Sequence, residues 1–142
     1  MKKLDGSTMY EYLESYDEAV QRTKAGAVKQ AENGDWEHYQ QQSLKTALAV
    51  KCDHPVIYPT LGLANEAGEV AGKIKKIFRD KKGEVTDEDR SSLKYELGDV
   101  LWYLSQVCTA LDIDLADVAN SNLKKLFSRK ARGALQGDGD KR

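Results

Sequence analysis

The residues best suited to chemistry lie in two short segments, Glu66-Ala67-Gly68-Glu69 and Glu96-Leu97-Gly98-Asp99, each with two acids three positions apart. On a helix that spacing puts both acids of a pair on one face. Each pair stands beside an apolar stripe stepping by four and three. The first stripe is Leu63, Ala67, Val70, Ile74 and Ile77, and the second is Leu93, Leu97, Val100, Leu104, Val107 and Leu111. If the two helices fold back on each other, Glu66, Glu69, Glu96 and Asp99 converge beside the core. Two like charges ~4 Å apart oppose each other by about 4 kcal/mol at an effective dielectric of about 20, so four ionised acids need a cation or protons between them. An all-oxygen donor set suits Mg²⁺, Mn²⁺ or Ca²⁺, and Mg²⁺ commonly completes its shell with substrate phosphates. A phosphate-bearing substrate is therefore the natural partner.

The elements that must position these acids can be read from the 3.6-residue period, which dominates because alternating β-branched runs are absent and the only prolines are Pro55 and Pro59. The expected fold is all-α, a single-domain bundle of about five helices with a central antiparallel acidic pair. The expected helices run over about 7–31, 35–52, 59–78, 86–111 and 114–132. Asn33-Gly34 closes the first and His54-Pro55 follows the second, while Pro59 sits in the first turn of the third. Thr86 and Asp114 supply N-caps, each with an acid three residues on, and Gly133 closes the last helix. Residues 1–132 form the expected domain and 133–142 a mobile tail without apolar periodicity. The acid pairs also match in height, lying about 15 Å and 12 Å from the intervening turn at ~1.5 Å per residue.

Charge and composition exclude several classes. With 22 basic and 23 acidic residues among 142, the net charge of -1 gives no general attraction for nucleic acid. No apolar run approaches the roughly 20 residues of a membrane span, and the polar start Met1–Gly6 does not resemble a signal peptide. Cys52 and Cys108 lack metal or redox spacing, which fits a reducing, cytoplasmic compartment.

The segments Leu61-Gly62-Leu63-Ala64-Asn65-Glu66-Ala67-Gly68-Glu69-Val70 and Glu96-Leu97-Gly98-Asp99-Val100-Leu101-Trp102-Tyr103 occur together with Asn122-Leu123-Lys124-Lys125-Leu126 and Arg129. Jointly they resemble the all-α nucleoside triphosphate pyrophosphohydrolases of MazG type, over about residues 39–133. Asn65 departs from the pattern, standing where many members have a glutamate. The resemblance implies hydrolysis of a (deoxy)nucleoside triphosphate to the monophosphate and pyrophosphate. It also implies Mg²⁺, with Mn²⁺ as a substitute, held by Glu66, Glu69, Glu96 and Asp99 so that an attacking water is activated and phosphate charge is neutralised. Glu66 or Glu69 would orient or deprotonate that water. Purine substrates such as dGTP or dATP are the favoured choice, and a homodimer or homotetramer is the expected assembly.

Further residues can be assigned to substrate. Lys73 and Lys76 continue the acidic face toward the turn and are suited to phosphates, although Glu69 with Lys73 is also an ordinary i,i+4 helix pair. Asn122, Lys125 and Arg129 share one face of the last helix and match the closing motif of the resemblance. Trp36 and the oxygen of Asn65 complete the substrate candidates, and Trp102 and Tyr103 are further stacking residues that read first as packing. Two competing readings follow from the same residues. One is a non-catalytic helical interaction module with an acidic face. The other is a di-iron bundle, disfavoured because neither His38 nor His54 lies in the acidic segments.

Overall fold

A computed structural model of the chain describes residues 33–48 and 54–136. Four α-helices occur among them and no strand: α1 (Asn33–Leu44), α2 (Ile57–Lys81), α3 (Asp87–Ala110) and α4 (Leu115–Ala131). The all-helical expectation holds. The helix expected over about 7–31 lies outside the described residues, as do residues 49–53 and most of the expected tail.

Local chemistry accounts for where each helix starts and stops. Helix α1 ends at Leu44, earlier than the expected 52. Ser43 Oγ donates to the Gln40 carbonyl at 3.0 Å and Thr46 Oγ1 to the Ser43 carbonyl at 2.7 Å, side-chain bonds that compete with helix continuation. Helix α2 starts two residues before Pro59, whose missing N–H is harmless in a first turn, and the Thr60 hydroxyl donates to the Val56 carbonyl at 2.7 Å. It ends in two left-handed residues, Lys82 (φ 55°) and Gly83 (φ 89°), and the Gly83 N–H donates back to the Ile77 carbonyl. The N-cap expected at Thr86 is a full capping box. The Asp89 N–H donates to Thr86 Oγ1 at 3.2 Å, and the Thr86 N–H donates to Asp89 Oδ2 at 3.0 Å. Asp114 caps α4 by accepting from the Ala116 N–H at 2.7 Å, and Gly133 (φ 67°) follows its end.

The most extensive packing is between α2 and α3, while α1 lies against α3 and α4. Contacts along the α2–α3 seam run from Lys81–Asp89 at the turn, through Lys73–Glu96, to Gly62 and Tyr58 against Tyr103. The apolar stripes are only part-buried: Ile77 is buried and Leu63, Val70, Leu93, Val100, Leu104 and Val107 are half-buried, while Ile74 is 36% exposed and Leu97 55%. The buried apolar side chains among the described residues are few, including Ile77, Cys108, Leu115 and Ala116.

Hydrogen bonds hold α1 in place. Ser43 and the fully buried Ser105 share one at 2.9 Å, and Gln106 Nε2 donates to Ser43 Oγ at 3.1 Å. The Gln40 amide reaches Thr109 Oγ1 at 3.2 Å and the Ile113 carbonyl at 3.0 Å, and accepts from the Leu115 N–H at 2.9 Å. One side chain thereby ties α1 to the end of α3 and the start of α4.

Glycines at two positions give opposite expectations. A Cβ at Gly62 would lie 2.1 Å from the Tyr103 ring, whereas one at Gly98 would meet nothing within 4 Å. Gly62→Ala should therefore destabilise the protein by about 1–3 kcal/mol through overpacking. Gly98→Ala should stabilise it by up to about 1 kcal/mol, the helix-propensity difference. Removing the cap in Thr86→Ala should cost about 1 kcal/mol. Urea denaturation midpoints check all three.

Candidate metal centre

The seam of α2 and α3 is where the acids meet. Glu66 comes from the middle of α2, and Glu96 and Asp99 from one face of α3. One carboxylate oxygen from each lies within 4.8 Å of the others. Glu66 and Glu96 are half-buried and Asp99 is exposed, so the triad opens to solvent on one side. Such a group of hard oxygen donors fits a Mg²⁺ or Mn²⁺ ion that keeps waters in its remaining positions. Carboxylates this close also repel one another strongly without a cation.

A cation of the protein's own already touches the triad. Lys73 Nζ lies 2.6 Å from Glu96 Oε1 and also donates to the hydroxyl and carbonyl of Ser92, one turn before Glu96. The i,i+4 partner suggested by sequence, Glu69, is instead exposed and accepts from the Asn65 amide at 3.1 Å. Three of the four expected ligands are thus brought together, with Glu69 one turn along the exposed flank.

Phenols surround the acids. Tyr39, projecting from α1, has its pKa raised above the ordinary 10.0, first by burial and then by the negative charge of Asp99. The Tyr103 hydroxyl is raised as well, foremost by its hydrogen bond with Tyr58, then by burial and the charges of Tyr58, Glu66 and Asp99. The Tyr103 ring lies over Gly62, packs 6.3 Å from the Tyr58 ring and meets Trp102 edge-on at 4.9 Å. Tyr58 and Trp102 also line an apolar cavity of about 300 Å³, together with Leu44, Pro59 and Gln106. The Trp102 indole N–H donates to Thr46 Oγ1 at 2.8 Å.

The other expected site residues are spread more widely. Lys76 lines a smaller cavity of about 160 Å³ with Lys73, Lys81, Asp89 and Ser92, adjoining the triad toward the turn. Asn122 and Lys125 are exposed on α4, and Arg129 is buried at 6% exposure. Helix α4 packs chiefly on α1, apart from the acidic seam. Trp36 is half-buried in the first turn of α1, one turn ahead of Tyr39. Sequence reasoning missed Tyr39 and Tyr58 as neighbours of the acids. The only local signal was position: Tyr58 precedes Gly62 by one turn, and Tyr39 shares a face with Ser43.

The family model of the MazG nucleotide pyrophosphohydrolase domain matches residues 59–133, more than half of the chain. The chain belongs to the MazG family. The match takes in the whole acidic seam and α4 but leaves out α1, so Tyr39 and the Ser43–Ser105 contact draw on residues outside the MazG region. The gene 37 protein of Mycobacterium phage L5 is similar too, 55% identical over 85 residues, which cover 60% of this chain and 75% of that protein. No solved structure matches the chain significantly.

The phenols offer a direct test of the site's field. Tyr39 and Tyr103 should remain neutral above pH 10.0 in the folded protein, and Asp99→Asn should lower both pKa values toward that figure. Because the folded values are raised, their contribution to stability is present below the unfolded pKa and is lost as pH climbs through the folded one. Ultraviolet difference titration of Asp99→Asn beside the parent protein reads the shift.

Proposed function

We propose that this MazG domain hydrolyses a (deoxy)nucleoside triphosphate to the monophosphate and pyrophosphate, with Mg²⁺ as cofactor and Mn²⁺ as a substitute. The observation that carries the reading is the convergence of Glu66, Glu96 and Asp99 from two helices within 4.8 Å. When bound, the divalent ion supplies charge neutralisation on the phosphates and acidifies water.

The chain's own residues do the remaining work. Glu66, Glu96 and Asp99 hold the ion at the acidic seam of an antiparallel helix pair. Glu69, exposed and one turn from Glu66, accepts a proton from the attacking water or orients it, with the Asn65 amide fixing its carboxylate. Lys76 steadies the phosphate chain at the turn-side cavity, where its charge and that of Lys73 offset the charge of the departing pyrophosphate.

Base and sugar lie at the opposite end of the seam. Tyr58 and Trp102 give the neighbouring cavity an aromatic, apolar lining that favours the larger ring surface of purines, so dGTP and dATP are the preferred substrates. Trp36 stacks from α1. Asn122, Lys125 and Arg129 serve the same substrate from α4, and they reach it in a homodimer or a homotetramer of paired dimers. The exposed apolar side chains Leu61, Phe78, Tyr95 and Leu97 on the outer faces of α2 and α3 support such an assembly, because a second copy would remove them from water.

Incubation with a panel of ribo- and deoxynucleoside triphosphates and Mg²⁺, read for pyrophosphate, should give release with purine deoxynucleotides first. Glu66→Gln and Asp99→Asn should each lower the rate by on the order of 100-fold or more while retaining helical content. Release of orthophosphate alone, or no release with any nucleotide, rejects the reading.

A further inference from the structure

Lys73 is half-buried at the seam, and its ammonium lies against a carboxylate of the acid triad. It contacts Glu96 Oε1 at 2.6 Å while the side chain and carbonyl of Ser92 hold it from the same helix. The side chains of Lys73 and Glu96 retain 32% and 15% of their exposure, so water screens this pair less than it would a pair on the open surface. Lysine cannot accept a hydrogen bond, and its three donors are directed here to Ser92 Oγ, the Ser92 carbonyl and Glu96. The contact engages Glu96 Oε1, in a triad where one carboxylate oxygen from each of Glu66, Glu96 and Asp99 lies within 4.8 Å of the others.

We propose that Lys73 is the resident counter-cation of the acid triad, a positioning residue that offsets carboxylate repulsion before a divalent ion arrives and opposes that ion's binding afterwards. The inference rests on the metal-dependent reading for its second half only. The physical reason is that both cations share one carboxylate. With one unit of positive charge at Glu96, three carboxylates can stay within 4.8 Å without an added ion. A dication entering beside Glu96 then meets the ammonium as a like charge. The protein thus gains a folded, preassembled site at the expense of metal affinity, which keeps the ion exchangeable between turnovers.

The test uses the full chain and Lys73→Gln, which retains a donor for Ser92 and Glu96 but removes the charge. In chelator, Lys73→Gln should melt several degrees below the parent, and the same change made in a Glu66→Gln/Asp99→Asn background should have little effect, since the repulsion is already gone. An equal loss in both backgrounds overturns the counter-cation role. In calorimetric titration with Mg²⁺ alone, Lys73→Gln should bind on the order of tenfold more tightly than the parent, the scale of a dication and a monocation separated by ~6 Å in water. Lys94→Gln, which removes the same charge from the opposite face of α3, should bind as the parent does. Mg²⁺ affinity in Lys73→Gln equal to or weaker than the parent's refutes the opposition to metal.

If Lys73→Gln does not fold, the parent protein answers by nuclear magnetic resonance. The Lys73 Nζ and Glu96 Cδ signals should shift together during a Mg²⁺ titration, and a Lys73 signal that stays fixed while Glu96 moves counts against the proposal. A parent protein that binds no Mg²⁺ sinks the hydrolase reading and the opposition to metal together, while the chelator comparison still decides whether Lys73 stabilises the acids.

Discussion

Repulsion among carboxylates held at the seam of two helices is the constraint on which the rest of this structure depends. Glu66, Glu96 and Asp99 face one another within 4.8 Å, a separation at which each pair of unit charges opposes the fold by about 3–4 kcal/mol at an effective dielectric of about 20. Such an arrangement persists only if other contacts hold α2 and α3 together and if positive charge is close by. Both conditions are met along the same line of residues. Toward the turn, Lys73 pairs with Glu96 and Lys81 with Asp89, and at the other end the Tyr103 ring lies directly over Gly62. The charged stretch is thus flanked by an ion pair on one side and an aromatic contact on the other.

The turn between the two helices contributes to the same balance. Asp89 serves the capping box of α3 and the ion pair with Lys81 at once. Its carboxyl is held below the usual carboxylate range, first by the Lys81 contact and then by hydrogen bonds from Thr86. A depressed folded pKa means that this contribution is present above the unfolded value and is lost as acid protonates the folded carboxylate. Acid therefore removes the fastening between Lys81 and Asp89 and loosens the α2–α3 seam at its turn end.

Much of the α2–α3 scaffold and its acids was legible in the sequence because it depends on local chemistry. Thr86 with Asp89, Asp114 and Gly133 mark helix boundaries by hydrogen bonds or backbone angles spanning a few residues, and the structure places the ends there. The acids of Glu96-Leu97-Gly98-Asp99 share a face because helical geometry fixes residues three apart. The end of α1 was harder to read, since Ser43 and Thr46 interrupt the helix through side-chain bonds that amphipathic periodicity does not register. Mid-helix glycines were equally ambiguous: Gly62 answers to a ring from another helix, whereas Gly68 and Gly98 border open space.

By itself the sequence determined helices that each carry two acids on one face, since both follow from spacing along individual helices. Only the tertiary structure decided which faces touch. Leu97, apolar and periodic, is 55% exposed and Ile74 36%, while Glu66, Lys73 and Glu96 meet at the seam. It also decided that Lys73 answers Glu96 across the seam and that Tyr39 approaches from a helix outside the family match. The reason is rotational: a helix of given sequence can present several stripes to a neighbour, and the choice rests on the sum of contacts over the whole interface, a quantity that no single segment contains.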